Sequence, residues 1–304
     1  MTQLAPVVVF AYKRADKIKK CLKALEENSL ADKTRVYLYA DGAKSDKDRS
    51  DVEETRNCIR RFEKRHGFAE LTVRYRECNM GLANSIISGV TEIIEKYGKV
   101  IVVEDDLVTS MDFLMYMNDA LSYYENIKEI GEISAFTHPL KGLQRYEHDI
   151  YITRKAECWG WATWKDRWEL ADWEMSSYPV FLKNRQKREF EKLQKGINNM
   201  LCMQMEGKLD SWAVRWCYSL FMNNRLTVYP KISRARNIGF DGSGVHCGAT
   251  NLYQDETVNT RTEKCRFERL GVDRKLEKEA AEFEYVPFIK KCLNYLRRVI
   301  FRKQ

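Results

Sequence analysis

Up to about residue 140, two hydrophobic periods take turns along the chain. Val7–Phe10 is an unbroken apolar run, as suits a strand buried on both faces. Asp16–Glu27 then places Ile18, Cys21, Leu22 and Leu25 at three- and four-residue intervals, which predicts a helix. The pattern continues with strand Arg35–Ala40, helix Asp51–His66, strand Leu71–Arg76, helix Asn84–Tyr97, strand Lys99–Glu104, helix Phe113–Glu125 and strand Ile133–Phe136. Repeated strand–helix units predict an α/β fold whose mostly parallel sheet is flanked by helices. Ligands of such sheets bind at the carboxyl ends of the strands. That rule gathers Tyr12–Arg14, Asp41-Gly42, Glu77–Gly81 and Glu104–Asp106 around one crevice.

The pattern changes after residue 140. Tyr151–Thr153 reads as a strand, and Cys158–Trp168 holds four of the seven tryptophans. Lys187–Glu206 and Ser211–Asn224 read as helices, and Pro230–Thr250 as a glycine-rich loop region. With no repeat or low-complexity linker, residues 141–270 are expected to form a lobe contiguous with the 1–140 half. Residues 271–304 form a C-terminal tail, in which Ile289, Leu293, Leu296, Val299 and Ile300 recur at helical spacing. From Tyr285 onward the tail carries six basic residues and no acid. Two readings stand for this amphipathic helix: contact with an anionic membrane surface through 285–304, or packing on the body with a solvated basic face.

Composition narrows the class. A chain of 304 residues with 44 % hydrophobic and 32 % charged residues buries a real core. The nine cysteines are scattered, with no CxxC pair, and read as free thiols. The N-terminus has neither a basic leader nor a long apolar segment. A cytoplasmic location is therefore expected, with the tail able to reach the inner face of the cell membrane. The net charge of +8 is spread among acids outside the tail, which argues against a nucleic-acid partner.

The chemistry centres on Glu104-Asp105-Asp106, three acids directly after a buried strand. Adjacent carboxylates repel unless a positive group sits among them. A hard divalent cation, Mn2+ or Mg2+, that also binds a diphosphate answers that need. The ordinary alternative is a solvated strand end that favours the helix beginning near Ser110. Glu104-Asp105-Asp106-Leu107 with Asp112-Phe113 resembles the DXD-type motif of GT-A-fold glycosyltransferases, most closely the N-acetylglucosaminyltransferase I type and related bacterial family-two-like sugar transferases. The resemblance runs in ordered blocks over about residues 5–250 and implies a Rossmann-like GT-A fold. It implies Asp106 as the metal ligand and Glu104 and Asp105 as contacts to donor sugar and ribose.

Further blocks extend it. Ala11-Tyr12-Lys13-Arg14 resembles the first nucleotide-binding loop, and Ala40-Asp41-Gly42 the block whose aspartate contacts the uracil ring. Asn79-Met80-Gly81-Leu82-Ala83-Asn84 resembles a family-two segment beside the donor, which makes Asn79 a donor-binding candidate. Cys158-Trp159-Gly160-Trp161-Ala162-Thr163-Trp164 resembles a segment near donor sugar and acceptor, where Trp159 and Trp161 stack on sugar or serve as core. Lys208-Leu209-Asp210-Ser211-Trp212 resembles the block of the catalytic base. Asp210 would take the acceptor proton, or cap the next helix. The family block has two adjacent aspartates there, where this chain has Asp210-Ser211. Ile232-Ser233-Arg234 through Gly248 resembles a mobile loop over the donor, with Ser243 at the diphosphate and His246 as a metal ligand or a hydrogen-bonding loop residue.

The resemblance, with Asp210 as base, implies a metal-dependent, inverting hexosyl- or N-acetylhexosaminyltransferase. It would move sugar from a UDP-sugar to a glycan or lipid-linked glycan acceptor, in bacterial surface glycan or lipid-linked oligosaccharide assembly. A sugar-nucleotide nucleotidyltransferase is the alternative enzyme, although Ala11–Asp16 lacks the glycine-rich loop it needs. A non-catalytic carbohydrate- or membrane-binding module is the third reading, and it leaves the acids without a purpose.

Overall fold

A computed structural model describes residues 3–183, 185–240, 258 and 264–283. The first half alternates as its sequence pattern predicts: β1 (Val7–Ala11), α1 (Ala15–Glu26), β2 (Arg35–Ala40), α2 (Arg49–Glu63), β3 (Glu70–Tyr75), α3 (Leu82–Tyr97) and β4 (Lys99–Glu104). Then follow β5 (Leu107–Thr109), α4 (Phe113–Tyr124), β6 (Ile130–Ser134), β7 (Ile150–Thr153), β8 (Trp161–Trp164) and α5 (Lys165–Trp168). The chain continues with α6 (Tyr178–Leu182), α7 (Gln186–Glu191), α8 (Ile197–Met205), α9 (Trp212–Met222), β9 (Leu226–Pro230), β10 (Ala235–Asn237) and α10 (Arg274–Phe283).

Eight strands form one sheet in the order β3-β2-β1-β4-β8-β6-β9-β7, while β5 and β10 pair separately. The fold is therefore α/β with a large, mostly parallel sheet. β1 to β4 run parallel, β8 runs against both β4 and β6, and β7 runs against β9. Because β8 opposes both neighbours, β4 and β6 point the same way, and their carboxyl ends share an edge. The single sheet continues across residue 140.

Helix packing follows the apolar stripes. Ile18, Cys21, Leu22 and Leu25 of α1 enter one core layer with Val7, Val9, Val36 and Leu38. Ile86, Val90, Ile93 and Ile94 of α3 enter the other, against Val8, Phe10, Tyr37 and Tyr39. Alternate strand residues thus serve opposite faces. α3 stops at Gly98, whose positive φ of 76° lets its N–H bond back to Ile94 O at 2.8 Å.

Two expectations change in the second half. The predicted helix Lys187–Glu206 is two helices, α7 and α8, interrupted where Gly196 adopts φ 88°. Trp161 is a core residue with no exposed surface, so its side chain packs where a sugar cannot reach it. Its ring stacks on Trp212 and Trp168 at centroid separations of 5.2 and 5.7 Å, and Trp216 lies 6.0 Å away. Among the described residues, no two cysteines form a disulfide. Among the described residues, no helix is long and apolar enough to cross a membrane. The tail segment 285–304, together with Ser243 and His246, lies outside the described residues.

Candidate active site

Topology sets the site before any side chain does. From β1 the chain goes to β2 and β3 on one side, then returns to place β4 on the other. The loops leaving β1 and β4 diverge there, and such a switch point opens a crevice at the carboxyl edge. Arg14 follows β1, and Glu104-Asp105-Asp106 ends β4.

The structure brings these residues into contact. Arg14 forks across the cluster: one nitrogen pairs with Asp105 and Nη1 lies 2.9 Å from Asp106 Oδ2. Both aspartates are buried and Glu104 is half-buried. Burial pushes Asp105 up to about 6, opposed by Arg14 and aided by Asp106. Burial, with Asp106 and Asp105 beside it, pushes Glu104 up to about 8. For Arg14, burial disfavours the charge, but Asp105 and Asp106 outweigh it and raise the guanidinium further. One fixed cation thus faces three acids, and burial together with the surplus negative charge favours the protonated form of Glu104. Below the cluster, buried Cys21 turns its thiol toward Glu104 O at 3.5 Å.

The β5–β10 ribbon roofs this corner. Ile238 N donates to Asp106 O at 2.8 Å. A Cβ on Gly239 would run into the Asp106 carboxylate and come within 3.1 Å of Arg14 Nη1. Only a residue without a side chain lets the backbone approach so closely. Arg234 holds the ribbon to α4, with Nε 3.4 Å from Asp112 Oδ2 and its guanidinium 4.8 Å from the Tyr116 ring centroid. Trp159, rather than Trp161, borders this edge, with its ring 5.2 Å from Phe240 and 4.4 Å from Phe136.

The Asp41 and Asn79 side chains stitch two loops together. Asp41 Oδ1 accepts from Met80 N at 3.0 Å and Gly42 N at 3.1 Å, while Oδ2 accepts from Met80 N and Ser85 Oγ. Both oxygens are engaged, so a direct bond to a base would displace one of these donors. Asn79 donates to Gly42 O at 3.0 Å and accepts from Gly81 N at 3.2 Å. A Cβ at Gly42 would lie 2.6 Å from the Cys78 carbonyl carbon, so the two loops touch through backbone. These bonds shape the β2–β3 side of the crevice.

Asp210 is exposed and pairs with Arg215 at 2.9 Å. The capping duty falls to Ser211, whose hydroxyl accepts from Val214 N at 3.3 Å. Asp210 is therefore free of the ordinary role that its sequence position suggests.

The acidic cluster has the donor set of a hard-cation site. Mg2+-type ions take one or two protein carboxylates and complete their shell with substrate phosphates and water. Among the described residues, no group of three His, Cys, Asp or Glu side chains forms a full protein cage. The oxygens of Asp105 and Asp106 suit the open kind of site.

The sequence pattern missed Glu132, which is fully buried in β6. It accepts from Trp216 Nε1 at 2.5 Å and Glu157 N at 2.7 Å. Its signal was a lone acid inside Ile130-Gly-Glu-Ile133.

No family model and no curated protein matches this sequence. Among solved structures, S. aureus TarS 1–349 in complex with UDP-GlcNAc is similar at 10 % identity and TM-score 0.41, over 76 % of this chain and 57 % of that one. GalNAc-T7 with UDP, GalNAc and Mn2+ is similar at 10 % identity and TM-score 0.45, over 78 % and 44 %. The glycosyltransferase GlyE of Streptococcus pneumoniae TIGR4 is similar at 12 % identity and TM-score 0.34, over 75 % and 45 %. The chain spans about half the length of each of these three structures. At these identities and scores, no activity passes from them to this chain.

Proposed function

We propose that this protein transfers a sugar, with inversion, from a UDP-sugar to an acceptor hydroxyl, and that it uses Mn2+ or Mg2+ to do so. The observation that carries the proposal is the corner where β1 and β4 part: Asp105 and Asp106 bridged by Arg14, with the half-buried Glu104 alongside. A cluster with surplus negative charge at a switch-point crevice suits a diphosphate together with its cation. When bound, a divalent ion supplies Lewis-acid stabilisation of the departing diphosphate, and Asp106 with Asp105 would hold it.

This chain's own residues do the remaining work. Arg14 offers a planar, permanently charged donor to phosphate oxygens. Asp41 and Asn79 keep the β2 and β3 loops together, which fixes the nucleotide side of the crevice. Gly239 lets the ribbon close over Asp106 and limits water there. Asp210, exposed and oriented by Arg215, takes the proton of the acceptor hydroxyl as it attacks. Ser243 and His246 remain candidates for the diphosphate and the metal. The acceptor is a glycan or lipid-linked glycan of a surface-assembly route, and the donor a hexose or N-acetylhexosamine nucleotide.

The test is incubation with a panel of UDP-sugars and Mn2+, with nucleotide release and sugar incorporation followed together. Release that needs both donor and metal, and that disappears in a folded Asp106→Ala variant, supports transfer. Pyrophosphate-dependent formation of UTP would instead show a nucleotidyltransferase. No binding of any nucleotide sugar would return the protein to the class of binding modules.

A further inference from the structure

Residues 175–188 read Met-Ser-Ser-Tyr-Pro-Val-Phe-Leu-Lys-Asn-Arg-Gln-Lys-Arg, a stretch with four basic residues and no acid. In the structure this is the corner formed by α6 and the start of α7. α6 is pinned by Phe181, which is 1 % exposed and packs on Tyr218 and Phe190 at ring separations of 5.2 and 5.7 Å. On either side of that anchor, Val180 is 66 % and Leu182 46 % exposed. Pro179 is exposed as well, and so are Lys183, Arg185, Lys187 and Arg188. Among the described residues, none of these four basic side chains forms an ion pair. The corner therefore presents bare aliphatic side chains directly beside uncompensated positive charge, on a helix held firmly from beneath.

An isolated exposed valine or leucine means little on a protein surface. The combination is more specific. Anionic lipid headgroups attract basic residues at the surface, and aliphatic side chains among them enter the acyl boundary. The long stems of lysine and arginine tolerate that boundary while their charges stay in the headgroups. A nucleic acid would use the same charges but has no use for Val180 and Leu182. It would also ask for exposed aromatic rings, whereas Tyr178 is half-buried.

We propose that the α6–α7 corner, residues 178–183 and 185–188, docks the protein on an anionic lipid surface. Aliphatic contact through Val180 and Leu182 and charge through Lys183, Arg185, Lys187 and Arg188 act together. This site belongs to the folded body, and its residues are not those of the basic segment 285–304.

The test uses the full chain and vesicle flotation, comparing phosphatidylglycerol-rich vesicles with pure phosphatidylcholine. Wild type is expected to float only with the anionic vesicles. Replacing Lys183, Arg185, Lys187 and Arg188 together by Gln should weaken partitioning by at least about tenfold. Val180→Ser with Leu182→Ser should weaken it about threefold or more. Thermal melting should be unchanged in both, since every altered side chain is exposed. As a direct probe, Leu182→Trp should shift its emission to the blue on anionic vesicles and be quenched by brominated acyl chains. The proposal is overturned if wild type ignores the vesicles, or if both multiple variants float as wild type does because the tail alone binds. It is equally overturned if a soluble polyanion or an acidic protein binds the corner while the Leu182→Trp indole stays in water.

Discussion

Two glutamates in this protein keep their protons to about pH 8, and the contrast between them separates a reactive site from a piece of core. Glu104 ends β4, and Glu132 sits inside β6. Burial is the main cause in both. Glu132, however, is sealed in the mixed half of the sheet, where Trp216, Glu157 N and Thr227 meet its oxygens. Glu104 is half-buried at the crevice, where Asp106 and Asp105 raise its pKa further and Arg14 opposes them, whereas Glu132 has only the buried Glu157 as a charged neighbour. A raised pKa alone therefore does not mark a site. Access from the crevice does.

That contrast can be broken experimentally, and the largest effect is expected at Asp210. Asp210→Asn should lower turnover by about 10²–10⁴-fold with donor affinity kept. Its partner Arg215 is buried but keeps backbone acceptors at Ser211 O and Trp173 O, so the stability cost should be on the order of 1 kcal/mol. Steady-state kinetics beside a melt separates the two. Asp106→Ala is expected to lower metal-dependent nucleotide release by about 10²–10³-fold, and Mn2+ titration followed by electron paramagnetic resonance should show the ion staying free. Gly239→Ala should raise donor KM about tenfold through crowding of Asp106 and Arg14, with kcat changed less.

The sharpest comparison pairs Glu104→Gln with Glu132→Gln. The first should weaken donor-dependent activity severalfold, and the second should leave activity at neutral pH unchanged. For Glu132 the sign is definite. Its pKa is pushed up to about 8 from the ordinary 4.5, so the stability that it contributes is full below pH 4.5 and is lost as pH rises through 8. The loss is on the order of a few kcal/mol. Chemical denaturation at pH 5 and pH 9 should show Glu132→Gln flattening that slope. Equal slopes in wild type and variant would remove Glu132 from the account.

Much of the first half was legible because its elements bury continuous stripes. The run Val7–Phe10 and the spacing of α1 and α3 state their partners, since each face has only one way to leave water. The acids after β4 were equally plain, because three charges directly beyond a buried strand demand a positive partner. The tryptophan segment left two readings open, since a flat aromatic near a site and one inside a core look alike in sequence. Only packing against Trp168, Trp212 and Trp216 decided for Trp161. Asp41 was legible as a loop residue at a strand end, but not the saturation of its oxygens by Met80, Gly42 and Ser85.

By itself, the sequence determined which strands are buried, which ends carry charge and where the helices lie, because periodicity and local solvation act between near neighbours. Tertiary structure decided that Arg14 reaches Asp105 and Asp106 across 91 and 92 positions. It also put Gly239 against the same carboxylate and gave Glu132 a sealed pocket. Those outcomes depend on strand order and on backbone approach within a few ångström, and no pattern of single residues along a chain encodes either distance.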